Sequence, residues 1–439
     1  MTLIGLRTVL SSIRGNQILG QVLQRAAGTA ALKFIGMLLS LGGAALLARL
    51  LRPAQYGAYS FALSTITLLA LPVQFGLPQL IIREVAKYQL LGDWPLLRGL
   101  LLRANQFVAV LSVAVGGLLF AALLLSGRYA SVVDIPTFIW AAFLLPFIAL
   151  SQIRGAVLQG LRHVVQGQIP ESVIRPGLFM ALIFLWSLVS PLRSWSAMAL
   201  QVGAAIAAFA VGLALLVRYI PAEVKHAKAA FENRTWLRSI IPLSMTDALQ
   251  VINVQADLIL LGFFTSATAV GLYRAAALIA YQISVGLAIT NMVLGPYFAR
   301  LYYAKDTAGL QKIVTQSVRL VWVIAIPVTI ACILSGREII ALVFGKAYVD
   351  GATSLAILAI GQMVNGVTGP GTLLLNMTGH ERDVTRVILL TALINVLVNL
   401  LLIPKFGILG AAMTTTFALL VGNIWLTLLL KRRLGIRVF

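Results

Sequence analysis

Apolar runs of about twenty residues recur along almost the whole chain, separated by short polar turns. As helices rising about 1.5 Å per residue, such runs are long enough to cross a hydrocarbon core of roughly 30 Å. Twelve spans are expected, at roughly 30–50, 55–77, 99–126, 134–161, 168–190, 194–218, 239–264, 268–298, 310–334, 352–378, 384–403 and 407–430. The third and tenth are longer than a perpendicular crossing needs, so they tilt or project. Gln79 to Arg98 mixes Leu80, Ile81, Leu90 and Leu91 with Arg83, Glu84, Lys87 and Asp93, which reads as an interfacial elbow helix. Ahead of the first span, Leu3, Leu6, Leu10 and Ile13 with Arg7, Arg14 and Arg25 fit an amphipathic helix on a membrane surface. Met1 to Gly28 lacks the charged-then-apolar pattern and small-residue cleavage site of a signal peptide.

The pattern repeats. Leu46 to Ser64, LLARLLRPAQYGAYSFALS, and Leu260 to Ala280, LLGFFTSATAVGLYRAAALIA, each join the end of one apolar segment to the start of the next through a Gly-x-Tyr. Gly57 and Tyr59 correspond to Gly271 and Tyr273 at an offset of 214, and Arg83 to Arg300 at 217. A duplicated chain is therefore expected, with an N-terminal lobe at 1–218, a cytoplasmic linker at 219–238 and a C-terminal lobe at 239–439. Repeats of this kind in membranes typify transporters whose pathway lies between the halves. Span ten contains Gly369-Pro370-Gly371, where the backbone should bend.

Composition narrows the class. The chain is 60% hydrophobic and 11% charged, against about 25% charged residues in a soluble domain. It is read as an all-α integral membrane protein. The net charge of +21 has a topological origin. With the N-terminus cytoplasmic, the inner segments hold 22 Lys and Arg and the outer ones 7, which places both termini inside by the positive-inside rule. Nucleic acid is not an expected partner, because the charge is spread over loops of an otherwise apolar chain. Cys332 stands alone, so no internal disulfide can form. His163, His226 and His380 all fall in turns, and no phosphate-binding GxxxxGK[ST] occurs. A transporter rather than an enzyme is expected, with no cofactor beyond a proton or sodium gradient.

Five basic residues fall inside or near spans: Lys33, Arg154, Arg175, Arg274 and Arg319. Each would cost roughly 2.5–3.5 kcal/mol at a lipid-facing bilayer centre, which favours a cavity for most of them. The alternative is snorkelling to the interface, strongest for Arg154, Arg274 and Arg319. Helical phase groups Thr29, Lys33, Gly36, Ser40 and Gly43 on one face of span one, and Asp247, Gln250, Asn253 and Asp257 on one face of span seven. Lys33 and Asp247 are repeat-equivalent, as are Gly43 and Asp257. Such stripes suit either helix packing or a hydrated cleft. Spans one, two, seven and eight are expected to line that cleft. Lys33 and Asp247 form a candidate gate, with Asn253 beside Asp257 as a candidate coupling site.

The residues also carry a resemblance. ARLLRPAQYGAYSFALS (Ala48 to Ser64), FGLPQLIIREVAK (Phe75 to Lys87), RGAVLQGLRH (Arg154 to His163), ADLILLGFFTSATAVGLYRAAALI (Ala256 to Ile279) and FGILGAAM (Phe406 to Met413) resemble the Wzx-type flippases. These form the polysaccharide-transporter branch of the multidrug/oligosaccharidyl-lipid/polysaccharide (MOP) superfamily. The resemblance implies a MATE-like fold of two six-helix lobes around a central cavity, working by alternating access. It implies a bacterial inner-membrane protein that moves an undecaprenyl-diphosphate-linked oligosaccharide outward for O-antigen, capsule or exopolysaccharide. Its implied partners are that polyprenyl-diphosphate-linked glycan, membrane lipids, and polysaccharide polymerase and chain-length proteins. Arg274 departs from the family pattern, which has a small residue there. The alternative is a cation-coupled multidrug exporter of the same superfamily. Lys33 in span one, where that branch relies on carboxylates, argues against a cationic substrate.

Overall fold

A computed structural model describes residues 28, 31–125 and 133–437, which form helices and their connections with no strand among them. The expected amphipathic helix before residue 28 lies outside the described residues. The first lobe holds α1 (Ala31–Leu50), α2 (Pro53–Gln74), α3 (Leu77–Leu91), α4 (Trp94–Leu125) and α5 (Ile135–Gly160). It continues through α6 (Val164–Ile169), a π-helical turn at Pro170–Ile174, α7 (Arg175–Val189) and α8 (Ser194–Tyr219). A short α9 (Ala222–His226) leads to the second lobe. That lobe holds α10 (Asn233–Phe264), α11 (Ala267–Tyr281), α12 (Val285–Tyr303), α13 (Thr307–Leu334) and α14 (Gly336–Val343). A 3-10 turn at Lys346–Gly351, α15 (Ala352–Val367), α16 (Gly371–Met377), α17 (Glu381–Phe406) and α18 (Ile408–Leu434) complete it.

Among the described residues, eleven helical stretches are long and apolar enough to cross a membrane. The expected seventh span is α10, whose apolar stretch, Ala248–Phe264, is shorter than the others. The elbow helix forms as expected: α3 turns Leu80, Ile81 and Val85 inward and leaves Leu90, Leu91 and Lys87 exposed. The tenth span breaks at Thr368–Pro370, where Gly369 adopts φ +77°. That conformation costs glycine nothing and lets the chain restart as α16. Two interruptions were not visible in the sequence. Pro170 removes an amide donor inside the fifth span, and the backbone widens there into the π turn. The eighth span bends through a 3-10 turn at Gln282–Ser284.

The lobes meet at the end of the bundle that carries the α1–α2 and α10–α11 turns. There α2 and α11, the two repeat-equivalent helices, cross at their first turns. A Cβ on Gly57 would lie 1.7 Å from the Ala267 carbonyl oxygen, and one on Gly271 would lie 2.2 Å from that of Pro53. The two glycines thus face each other across the pseudo-symmetric crossing, backbone against backbone. Around them, the end of α1 is tied to the second lobe. Tyr348 donates its hydroxyl to the carbonyls of Ala48 (2.9 Å) and Leu51 (3.1 Å). Arg49 donates through Nε to Val343 O at 3.0 Å and through Nη2 to Leu342 O. Tyr56 packs edge-on against Tyr348.

One buried apolar core runs through both lobes, from the α2–α11 crossing to Tyr88 of the elbow helix and Trp236 of α10. At that far end, Phe298, Leu310, Val314, Val318, Leu374, Val384 and Leu430 form a separate core belonging to the second lobe alone. The connection after α8 docks on α4: Arg98 Nη1 donates to the carbonyls of Lys225 (2.8 Å) and Ala227 (2.6 Å). The start of α10 touches the elbow helix, with Trp236 Nε1 donating to Tyr88 Oη at 2.9 Å.

Candidate functional site

Directly beneath the α2–α11 crossing lies a cavity of about 350 Å³ between the lobes. Its walls come from α1 (Ser40, Gly43, Leu47), α2 (Tyr56, Tyr59, Ser60), the π turn and α7 (Glu171, Arg175, Phe179), α8 (Gln201) and α11 (Arg274, Leu278, Gln282). The expected spans one, two and eight are present. Among the described residues span seven contributes none to the wall; α10 packs against α2, α3 and α17, and α7 and α8 border the cavity.

Two guanidinium groups from opposite lobes reach this cavity. Arg175 stands on the first turn of α7, immediately after the π turn. Its Nη1 donates to Glu171 Oε2 at 2.9 Å. With the Gln201 amide oriented to accept, Arg175 Nε and Nη2 lie 3.3 and 3.1 Å from its oxygen. Arg175 is thus fixed on two sides while both Nη groups keep a second N–H for a ligand. Arg274 projects from the first turns of α11, beside Tyr56. Tyr59 lies within electrostatic reach of both guanidiniums, and its ring stacks on Phe179 at 6.2 Å between centroids.

The other basic candidates fall elsewhere. Arg154 on α5 does not border the cavity; its guanidinium lies over the Phe209 ring, 3.1 Å from the centroid, and reaches Phe209 O at 3.5 Å. It borders a narrow gap of about 10 Å³ behind the cavity wall, and Glu171 borders that gap too. Lys33 on α1 and Arg319 on α13 are exposed and do not border this cavity. The Asp247 side chain lies outside the described residues, so the expected pairing with Lys33 has no described geometry.

Asp257 occupies a second polar site inside the C-terminal lobe, 1% exposed. Its Oδ2 accepts from Tyr273 Oη at 2.6 Å and from Thr415 Oγ1; its Oδ1 accepts from Asn399 Nδ2 at 2.7 Å and Asn395 Nδ2 at 3.0 Å. Four neutral donors from three helices therefore hold a carboxylate that has no cationic partner among the described residues. The Asn399 carbonyl oxygen is buried beside it without a hydrogen-bond partner. Asn253, Asn395 and Thr415 also border an adjoining cavity of about 230 Å³, with Gln362, Asn365 and Asn423. Oxygen-rich and anionic, this cluster has the donor chemistry that hard monovalent cations and protons use.

Sequence reasoning missed Glu171, Gln201, Tyr59 and the Asn395, Asn399, Thr415 set. A signal existed for the asparagines, which stand four apart within the apolar run ILLTALINVLVNLLLI. Glu171 was legible as an acid one helical turn before Arg175 inside an expected span.

The profile of the family described as "Polysaccharide biosynthesis protein" matches residues 22–302. The chain belongs to that family. Within it, the chain is 29% identical to the "Probable flippase AglR" of Haloferax volcanii over 38% of this chain and 36% of the relative. It is 29% identical to an uncharacterised membrane protein of Methanocaldococcus jannaschii, over 47% and 43%. It is 26% identical to the capsular polysaccharide biosynthesis protein CapF of Staphylococcus aureus, over 40% and 45%. The matched segments thus span less than half of these curated relatives. Fold similarity extends further. An inward-facing MATE-family multidrug transporter of the MOP superfamily superposes with TM-score 0.68 at 14% identity, over 92% of this chain and 98% of that one. The lipid II flippase MurJ in an inward closed conformation gives 0.65 at 15% identity, over 91% and 87%. These superpositions give the chain a MATE-like, two-lobed fold.

Proposed function

We propose that this protein flips a polyprenyl-diphosphate-linked oligosaccharide across a cell membrane by alternating access. The observation that carries the reading is the convergence of Arg175 and Arg274, one from each lobe, on a single cavity beneath the closed α2–α11 crossing. Two guanidiniums bordering one cavity from opposite lobes suit a diphosphate, which can bridge them with charge-assisted bonds. With both termini cytoplasmic, the closed end is the outer one, and the cavity would load from the inner leaflet. A bacterial inner membrane, an undecaprenyl carrier and a role in O-antigen, capsule or exopolysaccharide synthesis are the finer form of the same proposal. So is the division into lobes at 1–218 and 239–439 about a cytoplasmic linker. Polymerase and chain-length proteins are the expected partners.

Asp257, with Asn253, Asn395, Asn399 and Thr415, is the proposed coupling site for sodium or protons. It stands within one lobe and does not border the glycan cavity, so an ion there acts on the lobe rather than on the substrate. Cation-coupled multidrug export is less well supported, because the one acid on the cavity wall among the described residues, Glu171, already pairs with Arg175. The test is transport in proteoliposomes of a short prenyl-diphosphate-linked fluorescent oligosaccharide. Arg175→Ala and Arg274→Ala should each slow it roughly tenfold or more, the scale of a lost charge-assisted contact. Wild-type rates in both variants would reject the assignment.

A further inference from the structure

Glu171 is the acid on the wall of the cationic cavity, and its position is unusual in two ways. It lies in the π turn, so its backbone departs from the register of the helices on either side. It also borders two spaces at once: the central cavity, where it pairs with Arg175, and the narrow gap behind the wall, where Arg154 lies. Arg154 makes no ion pair among the described residues. Its contacts are the Phe209 ring and one long bond to a carbonyl. A half-buried guanidinium held by a ring face can still accept a carboxylate, and about one helical turn separates Glu171 from its present partner.

We propose that Glu171 is a two-position counter-ion that sets the charge threshold for entry to the cavity. In the empty cavity Glu171 neutralises Arg175. A ligand reaches Arg175 only by displacing it, and the displaced carboxylate turns into the gap and pairs with Arg154. The arrangement discriminates by charge. A monoanionic phosphodiester, such as a bulk phospholipid headgroup, offers Arg175 little more than Glu171 already does. A diphosphate bridging Arg175 and Arg274 gains a second cation that Glu171 does not reach. Glu171 thus excludes the abundant single-phosphate lipids, and Arg154 lowers the cost of admitting the diphosphate by keeping the displaced carboxylate paired. No bond is made or broken and the charge of the wall is unchanged throughout.

This inference rests on the diphosphate reading of the cavity, so the experiment separates the two. Binding of geranyl diphosphate and of a short-chain phosphatidylglycerol is measured on the full chain in nanodiscs of zwitterionic lipid. Wild-type protein should bind the diphosphate and discriminate against the phosphatidylglycerol. Arg274→Ala should weaken diphosphate binding; no binding by wild type, or no effect of Arg274→Ala, removes the underlying reading. Glu171→Gln keeps a hydrogen-bonding group but no charge. It should tighten diphosphate roughly tenfold and phosphatidylglycerol at least as much, so that discrimination falls. Arg154→Gln should weaken diphosphate several-fold although it does not touch the ligand, and that loss should vanish in the Glu171→Gln background. Unchanged affinities in Glu171→Gln, or an Arg154→Gln loss that persists in the double variant, would overturn the counter-ion role while leaving the cavity reading intact. Should Glu171→Gln not assemble, Glu171→Asp supplies the same readout. Its shorter reach loosens the Arg175 pair, and diphosphate must bind more tightly than to wild type for the proposal to stand.

Discussion

Asp257 is buried in an apolar helix without a cation because Tyr273, Thr415, Asn395 and Asn399 donate to it. Burying a carboxylate is tolerable when every lone pair is met and intolerable when it is not. Asp257→Asn would turn an amide N–H₂ toward groups that are themselves donors, at a cost of about 1–3 kcal/mol per mispaired group. We expect the variant to reach the membrane but to lose the response of transport to both imposed sodium and imposed proton gradients. Its binding of geranyl diphosphate in the central cavity should stay within about twofold of wild type, because Asp257 does not border that cavity. A variant that still responds to either gradient would place coupling elsewhere. At this scale the sequence was partly legible. Charges inside apolar runs stand out, so Arg175, Arg274 and Asp257 could be picked. Direction could not: Lys33 and Arg319 have the same composition signature and lie on the surface. Arg154 is turned aside by an aromatic ring that no spacing rule announces.

Among the elements, α2 and α11 matter most because their crossing is the roof that closes the cavity. The sequence exposed them through the 214-residue offset between Gly57 and Gly271, and the structure brings those two glycines into contact. A side chain at either position forces the helices apart. Gly271→Val adds branches to a Cβ that would already lie 2.2 Å from Pro53 O. The closed arrangement is then the one penalised, not the individual lobes. Ser60, buried just below the crossing, reports the change. In a Cys332→Ser, Ser60→Cys protein, labelling by a membrane-impermeant maleimide added outside should rise roughly tenfold with Gly271→Val, a shift of one to two kcal/mol in the lobe equilibrium. Equal labelling at equal expression would show that the crossing does not govern access. The π turn at Pro170–Ile174 is the counter-example to legibility. A proline within an apolar run can begin a helix, kink it or widen it. Only the packing of α7 on α8, with Gln201 opposite Arg175, shows which occurred.

On the scale of the whole molecule, the closed end is held by reciprocal contacts between lobes. The C-terminal carbonyls of α1 lack helical partners, as those of any helix end do, and Tyr348 from the second lobe satisfies two of them. The C-terminal carbonyls of α14 receive Arg49 from the first lobe. Each lobe therefore caps a helix of the other, and the caps are lost together when that end opens. A transporter needs this end stable enough to close and weak enough to reopen, so the caps should set the equilibrium between its two states. Tyr348→Phe keeps the ring against Tyr56 and removes the one hydroxyl proton shared between the two carbonyls, at about 1 kcal/mol. The open population should rise roughly fivefold on that basis. Arg49→Ala should act in the same direction by less, since its contacts are exposed and water replaces them. Spin labels on exposed sites at the closed ends of α2 and α15 would report the distance between lobes in the absence of ligand. Wild-type protein should give one short distance, Tyr348→Phe a mixture, and the double variant mostly the long one. A single short distance in all three would mean that the apolar core and the glycine crossing hold the end without the caps.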